Sequence, residues 1–105
     1  MTTIKITPQE IEVSGHSGYA EIGKDIVCAA ISTLTQATYN YLRKTDNLVV
    51  LQDSEGYYLI ELLKLNYYGS EIIGSYIEMV EDLASQYPLY LKIEKGRTKW
   101  KNWIN

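Results

Sequence analysis

Alternating apolar and polar residues predict a β-hairpin at the start of the chain. Residues 2–7 alternate with Ile4 and Ile6 on one face, and residues 11–13 alternate again after a turn at Pro8. A period of two residues is typical of a half-buried strand. The second strand leads directly into Gly15 and His16, which we therefore expect on a loop held by a rigid element.

Two longer segments have the 3.6-residue period of amphipathic helices. The first helix is predicted to begin after Asp25, a good N-cap residue, and to end near Lys44. Its predicted buried stripe comprises Ile26, Val27, Ala30, Ile31, Leu34, Ala37, Tyr41 and Leu42. The second helix is predicted to begin after Ser70 as its cap and to stop before Pro88, because proline cannot continue a helix.

The remaining strand-like segments complete a predicted α+β fold. Residues 48–52 and 57–65 are joined by a four-residue loop, residues 53–56, and residues 89–93 follow the second helix. The order β-β-α-β-β-α-β predicts a mostly antiparallel sheet with two helices packed on it. We assign residues 1–95 to this one domain.

The last residues, 96–105, differ in composition from the domain because basic residues alternate with Trp100 and Trp103. Such a tail could contact RNA or a protein surface. We favour the interpretation that the two Trp side chains pack back on the domain or across a dimer, since buried aromatic rings dominate such contacts. The role of this tail is not predicted.

Composition indicates a globular protein without a strong electrostatic preference for nucleic acid or membrane. Of the 105 residues, 46% are hydrophobic and 22% are charged, and the net charge is −3. The sequence has no apolar run long enough to span a bilayer and no apolar leader after its first residues. A single cysteine cannot form an internal disulfide, which favours a reducing compartment. We therefore expect a cytoplasmic protein that binds neither nucleic acid nor membrane directly.

The candidate chemistry is concentrated in one stretch, which holds the single histidine, His16, and the single cysteine, Cys28. Cys28 is predicted in the first turn of the first helix, just outside its buried stripe. The positive potential at a helix N-terminus favours a thiolate, and a nearby imidazole can act as general base and acid. This pattern predicts a nucleophilic cysteine with a histidine partner. A small buried thiol and a structural histidine are the alternative from residue type alone.

Neighbouring residues could support such a site. Ser17 and Ser32 are candidate hydrogen-bonding partners, and Gly15 begins a glycine-rich loop between the two candidate catalytic residues. If Asp25 caps the first helical N–H groups, those groups are less free to stabilise an oxyanion. No residue that orients His16 can be chosen from the sequence.

A metal centre or organic cofactor is not expected. One histidine and one cysteine fall short of the three or four ligands of a zinc site. The glycines at 15 and 18 have neither the spacing of a dinucleotide fingerprint nor that of a phosphate-binding loop. We therefore predict catalysis without a metal or cofactor.

The same stretch resembles the ribosomal-processing cysteine protease family, Prp. Two segments carry the resemblance, Gly15-His16-Ser17 and Gly23-Lys24-Asp25-Ile26-Val27-Cys28-Ala29-Ala30-Ile31-Ser32. The end of the second helix, Leu83-Ala84-Ser85-Gln86-Tyr87-Pro88, is also similar, so the resemblance extends over residues 2 to about 95. The chain departs from the family pattern at Ser17, where alanine is common, and in its tail.

The resemblance implies a cytoplasmic endopeptidase with a Cys-His dyad, matched here by Cys28 and His16. It also implies a protein substrate, large-subunit ribosomal protein twenty-seven, from which a short N-terminal extension is removed beside a bulky aromatic pair. Homodimers that pack through helices are implied as well, together with a loop that orders over the substrate. Some relatives process phage capsid or scaffold proteins, so a phage substrate is a second expectation.

A different functional class is also compatible with the sequence. The acidic surface and tyrosine-rich strands, including Tyr57 and Tyr58, could hold a basic, aromatic peptide in a dimeric binding module without cleaving it. Half-buried packing in the sheet is the more ordinary role for these tyrosines. Redox sensing by the thiol is disfavoured, because the chain has no second cysteine to resolve a sulfenic acid.

Overall fold

A computed structural model describes residues 1–21 and 25–96, and its elements follow the predicted order. Most of the predicted basic tail lies outside the described residues. The elements are β1 (Thr2–Ile6), β2 (Glu10–Ser14), α1 (Ile26–Lys44), β3 (Leu48–Ser54), β4 (Tyr57–Lys64), α2 (Tyr67–Gln86) and β5 (Leu91–Lys95).

The five strands form one sheet in the order β3-β4-β2-β1-β5. The pairings β1–β2, β2–β4 and β3–β4 are antiparallel, whereas β5 runs parallel to β1. The predicted mostly antiparallel sheet is confirmed, and the parallel edge makes it a mixed sheet. Alternation within a strand marks its buried face but not its neighbour, so the sequence pattern could not give the place of β5.

The two helices contact each other and pack on the sheet, α1 against β3 and α2 against β5, and the core lies between the helices and the sheet. One face of each central strand is buried, as the register requires: Ile4 lies opposite Val13, and Ile11 lies opposite Ile60. Branched aliphatic side chains fit such a pleated, half-buried surface. The buried hydrophobic residues are Ile4, Ile6, Ile11, Val13, Val27, Ile31, Leu42, Val49, Ile60, Leu62, Ile73, Tyr76, Ile77, Val80 and Leu91.

Helix α1 has the predicted bounds and cap, but its buried stripe is rotated relative to the prediction. Ile26 and Tyr41 are 55% and 58% exposed, whereas Thr35 is fully buried. The Thr35 hydroxyl is hydrogen-bonded to the Tyr76 hydroxyl of α2 at 2.9 Å. Thr35 lies just outside the predicted stripe, and this cross-helix partner is what allows a polar side chain to be buried there.

Helix α2 begins earlier than predicted, and its cap is Asn66 rather than Ser70. The Asn66 side chain accepts a hydrogen bond from the Gly69 N–H at 2.9 Å, while its own N–H donates to the buried side chain of Asn47 at 2.8 Å. Ser70 lies within the helix. The buried Asn47 thus joins the end of α1 to the start of α2 and selects the earlier cap.

The β3–β4 connection is shorter than the predicted four residues. Strand β3 continues through Ser54 and β4 begins at Tyr57, so only Glu55 and Gly56 lie between them. Gly56 has a φ of +71°, which glycine adopts at little cost. Its carbonyl accepts a hydrogen bond from the Gly15 N–H at 2.9 Å, so this hairpin tip lies beside the loop that carries His16.

Candidate active site

The structure brings His16 and Cys28 into the walls of the same two adjoining pockets. His16 follows the end of β2, and Cys28 is the third residue of α1. Ser32, one helical turn after Cys28, lines both pockets as well. The imidazole is exposed and the thiol is half-buried, so both groups are accessible to a ligand.

The first pocket lies on the sheet side of this pair and has a volume of about 180 Å³. Its wall is mostly apolar, which suits the burial of a single apolar side chain. Besides His16, Cys28 and Ser32, it is lined by Thr2, Val13, Gly15, Ile31, Gly56 and Tyr58.

The second pocket lies on the loop side and has a volume of about 460 Å³. It shares His16, Cys28 and Ser32 with the first pocket, so an extended chain crossing the thiol would contact both pockets. Its other lining residues are Gly18, Ala20, Glu21, Asp25 and Ala29.

Asp25 connects the helix that carries Cys28 to the loop that carries His16. One carboxylate oxygen, Oδ1, accepts a hydrogen bond from the Cys28 N–H at 2.9 Å, which confirms the predicted N-cap. The other oxygen, Oδ2, accepts from the Ser17 hydroxyl and from the N–H groups of Tyr19 at 3.2 Å and Ala20 at 3.5 Å. The carboxylate is buried, with 7% of its residue exposed.

The hydrogen bonds of Asp25 also fix its charge state. Burial raises the pKa of this carboxyl, but the hydrogen bonds from Ser17, Cys28 and Ala20 outweigh burial, and the net pKa is below its ordinary value. Asp25 therefore stays ionised at neutral pH and holds its four donors.

Ser17 contacts the candidate nucleophile through its backbone. Its N–H donates to Cys28 Sγ at 3.3 Å, and its hydroxyl both donates to Asp25 and accepts from the Tyr19 N–H at 3.2 Å. The residue is only 2% exposed. Ser17, the position at which the chain departs from the family pattern described above, is therefore part of the hydrogen-bond network beside the thiol.

The loop glycines differ in what they require. Gly15 has a φ of +91°, and a Cβ there would lie 2.6 Å from the Met1 carbonyl oxygen, so no larger residue fits. Gly18 has a φ of +75°, but a Cβ there would meet nothing within 4 Å. Gly23, the third glycine of this loop, lies outside the described residues.

Gly56 is the site residue that sequence reasoning missed. A Cβ at this position would lie 2.9 Å from His16 Nε2, so the imidazole occupies the space that the missing side chain leaves. Glycine at a hairpin turn is ordinary, and its contact with His16 depends on a pairing between distant strands. Thr2 was missed for the same reason, whereas Tyr58, which the sequence suggested as a peptide-holding residue, does line the first pocket.

No metal centre or membrane-spanning helix is found in the part of the chain that the structure describes. Within residues 1–21 and 25–96, no three histidine, cysteine or acidic side chains lie together in an arrangement that could hold a metal ion. No helix in these ranges combines the length and apolar character needed to cross a bilayer.

Comparison of the sequence with known families gives a match over almost the whole described domain. The profile of the family described as "Cysteine protease Prp" matches residues 1–92. No curated protein matches the chain.

Solved structures with the same fold include both liganded proteases and a protein without a stated activity. The essential ribosomal processing protease Prp from S. aureus, with a covalently linked product peptide, has a TM-score of 0.84 and 19% identity, covering 91% of this chain and 100% of that one. Its complex with a substrate peptide has a TM-score of 0.81, 18% identity and the same coverage, 91% and 100%. SMU.848 from Streptococcus mutans has a TM-score of 0.71 and 30% identity, covering 90% of this chain and 93% of that one.

Proposed function

The chain belongs to the Prp family of cysteine proteases, and we propose that it hydrolyses a peptide bond with Cys28 as nucleophile and His16 as general base and acid. The observation that carries this proposal is that these two residues line the same two pockets. They are also the single cysteine and the single histidine of the chain, so no other Cys-His pair is available.

In the proposed first half-reaction, His16 takes the thiol proton and Cys28 Sγ attacks the carbonyl carbon of the peptide bond. The tetrahedral intermediate collapses when the C–N bond breaks. The imidazolium of His16 gives its proton to the leaving amine, and the acyl group remains on Cys28 as a thioester.

In the second half-reaction, His16 takes a proton from water as the water oxygen attacks the thioester carbon. The C–S bond then breaks, the thiolate regains the proton from His16, and the carboxylic acid product leaves. Every proton passes through one imidazole, so the proposed mechanism needs no third titrating group.

The oxyanion requires N–H donors near the sulfur. The Cys28 N–H is occupied by Asp25 Oδ1 at 2.9 Å, as the sequence had suggested it would be. The Ser17 N–H lies 3.3 Å from Cys28 Sγ and is the donor best placed to turn to the oxyanion as the sulfur loses its charge. We assign this role to the Ser17 backbone.

The other predicted site residues have supporting roles in this proposal. Asp25 holds the start of α1 and the loop together, and Gly15 allows the chain to pass Met1 before His16. The Ser17 hydroxyl fixes Asp25 from the loop side. Ser32 contributes to the walls of both pockets and could contact the substrate backbone there.

The proposed substrate is the N-terminal extension of large-subunit ribosomal protein twenty-seven. This proposal is supported by family membership and by the fold shared with the ribosomal processing protease of S. aureus, which binds substrate and product peptides. The apolar first pocket suits a bulky side chain beside the cleaved bond. Phage capsid or scaffold proteins are the second proposed substrate class.

We also propose that the protein is a cytoplasmic homodimer that packs through its helices. The groove between α1 and α2 has a volume of about 210 Å³, and exposed Tyr41 and Met79 lie along it. Exposed apolar side chains along a helix pair are typical of a protein–protein contact. Its lining residues are Leu34, Ala37, Thr38, Tyr41, Ile72, Ser75, Tyr76 and Met79.

The experiment that tests the proposed function is cleavage of the extended ribosomal protein by wild type and by Cys28→Ala, followed by intact mass. We expect one cut at the extension junction, lost in the variant by at least about a thousandfold in rate. If neither protein cuts it, phage structural proteins are assayed next. Binding without cleavage, unchanged in Cys28→Ala, would instead select the peptide-binding module.

A further inference from the structure

Tyr19, which has no role in the proposed mechanism, packs its ring against the connection between α2 and β5. Its ring centroid lies 5.6 Å from that of Tyr87 at 90°, and 5.3 Å from that of Tyr90 at 81°. Edge-to-face arrangements of this kind are favourable beyond the area they bury. One loop side chain therefore makes two aromatic contacts with a part of the chain that is distant in sequence. We call these three residues the tyrosine cluster.

The α2–β5 connection that Tyr19 packs against is held by backbone hydrogen bonds. The N–H groups of Tyr90 and Leu91 both donate to the Tyr87 carbonyl, at 3.0 and 3.1 Å. The Tyr90 carbonyl accepts from the Thr2 N–H at 3.0 Å, at the end of the parallel pair β1–β5. The loop is thus packed against a fixed surface.

The backbone of Tyr19 is bound to the network beside the thiol. Its N–H lies 3.2 Å from both Asp25 Oδ2 and Ser17 Oγ. Ser17 in turn donates its own N–H to Cys28 Sγ at 3.3 Å. Only Gly18 separates the residue with the aromatic contacts from the residue whose N–H touches the sulfur.

We propose that Tyr19 is a positioning residue, whose ring in the tyrosine cluster holds the Ser17 N–H on Cys28 Sγ. The proposal rests on the proposed function for its consequence in catalysis, but the contact itself is present without substrate. Seating of the ring stabilises the thiolate through the Ser17 N–H. Loss of the ring releases the loop and makes the thiol less reactive.

The test is the rate of Cys28 alkylation by iodoacetamide at pH 7 in the full-length protein without substrate. Because the chain has one cysteine, intact mass reports this residue alone. We expect Tyr19→Ala to slow alkylation about tenfold, from the loss of two aromatic contacts. Tyr19→Phe keeps both ring contacts and should stay within about twofold of wild type.

A matched control is available on α2. Tyr67 and Tyr68 form another edge-to-face pair, at 5.8 Å and 74°, and both are exposed. Tyr68→Ala removes a comparable aromatic contact from a surface that does not line either pocket, so its alkylation rate should equal that of wild type.

A double-mutant cycle separates positioning from a general loss of stability. In a background of Tyr90→Leu, Tyr19→Ala should have a smaller effect than in wild type, since one partner of the ring is already gone. Circular dichroism confirms that each variant is folded at the assay temperature.

Two results would overturn the proposal. One is alkylation of Tyr19→Ala at the wild-type rate, which would mean that the ring does not affect the thiol, or faster than wild type, which would mean that the loop only shields it. The other is strict additivity with Tyr90→Leu. Neither result depends on the substrate, so failure of the cleavage assay with a normal alkylation cycle would count against the proposed function and not against this role of Tyr19.

Discussion

At the residue scale, the carboxylate of Asp25 does more than cap a helix. A cap needs one accepting oxygen, and Oδ1 supplies it to the Cys28 N–H. The second oxygen binds three loop donors, the Ser17 hydroxyl and the N–H groups of Tyr19 and Ala20. The loop next to His16 and the first turn next to Cys28 therefore share one charged group.

Asp25→Asn separates these two functions, because asparagine is also a good N-cap but offers an amide N–H₂ to the loop donors. Since the folded pKa of Asp25 is lowered, its contribution to stability is present above the unfolded value of about 3.9 and is lost as pH falls through the folded pKa. At pH 7 we expect the variant to be less stable by about 1–3 kcal/mol in urea unfolding.

The same measurement at pH 3 should give a smaller difference, because at this pH the Asp25 carboxyl of the unfolded wild-type chain is mostly protonated, whereas in the folded chain its lowered pKa opposes protonation. Asp53→Asn, at an exposed position on the β3–β4 hairpin, is the matched control and should change stability by less than about 0.5 kcal/mol at either pH. An equal loss for Asp25→Asn at pH 7 and pH 3 would contradict this account of the carboxylate.

At the element scale, the β3–β4 hairpin and the β2–α1 loop determine where His16 lies. The Gly15 N–H bonds the Gly56 carbonyl, and the imidazole occupies the space above Gly56. The hairpin is far from His16 in sequence, yet β2 and β4 are adjacent strands, and Ser14 pairs with Tyr57. The sheet register therefore brings the hairpin tip to the candidate active site.

Gly56→Ala should lower kcat about 10- to 100-fold, because the added Cβ would displace Nε2 of His16. Gly18→Ala matches only the backbone strain, since its φ of +75° is similar to the +71° of Gly56 but an added Cβ meets nothing within 4 Å. Because Gly18 lines the second pocket, the two variants are compared by unfolding free energy and not by kcat. Both variants have the same backbone strain, so their unfolding free energies should fall by similar amounts. A kcat for Gly56→Ala within about twofold of wild type would show that Gly56 does not position the imidazole.

The two helices are joined by a buried polar contact that can be tested separately. Burial raises the pKa of Tyr76 to about 12, and its hydroxyl is satisfied by that of Thr35. Thr35→Val and Tyr76→Phe should each lower the free energy of unfolding by about 1–3 kcal/mol, because each leaves the remaining hydroxyl buried without its partner. The double variant should cost less than the sum of the two in chemical denaturation. A strictly additive result would mean that the hydroxyls are not coupled.

Local signals in the sequence predicted the elements well, and long-range contacts account for what they missed. The Asp25 cap, the bounds of α1 and the order of elements follow from capping and periodicity. The Asn66 cap depends on Asn47, which lies 19 residues earlier in the chain. Burial of Thr35 likewise depends on Tyr76 of the other helix.

The candidate site likewise combines residues that local sequence signals identify with residues that only long-range contacts bring together. His16 and Cys28 are recognisable because each is the single residue of its type, His16 on the loop that leads to α1 and Cys28 in the first turn of that helix. Gly56, Tyr58 and Thr2 enter the site through strand pairing, which a single sequence does not specify. The alignment of β5 with β1 was not predictable for that reason either.

At the scale of the whole molecule, the helix layer leaves apolar side chains exposed along its outer groove. Tyr41 is 58% exposed and Met79 is 49% exposed, although both lie on amphipathic helices whose other faces form the core. The proposed homodimer would bury this groove. It would leave the two pockets beside Cys28 at the other end of α1 open to substrate.

Tyr41→Glu tests the proposed homodimer by placing a charge in the groove. Light scattering should give twice the 12.0 kDa chain mass for wild type and a single chain for the variant. Leu63→Glu, at a position 55% exposed on the open sheet, is the control and should remain dimeric. A monomeric wild type, or a dimeric Tyr41→Glu variant, would rule out this interface.

The central claim is that the acyl group passes through Cys28, and the most direct measurement is the mass of the protein itself during turnover. Enzyme and extended ribosomal protein are mixed, quenched in acid within one turnover, and analysed intact and after peptide mapping. We predict an adduct equal to the N-terminal fragment on the peptide that contains Cys28. The adduct should form about 10²- to 10⁴-fold more slowly in His16→Ala and not at all in Cys28→Ala. Cleavage that proceeds in Cys28→Ala, or with the acyl group on another residue, would contradict the account.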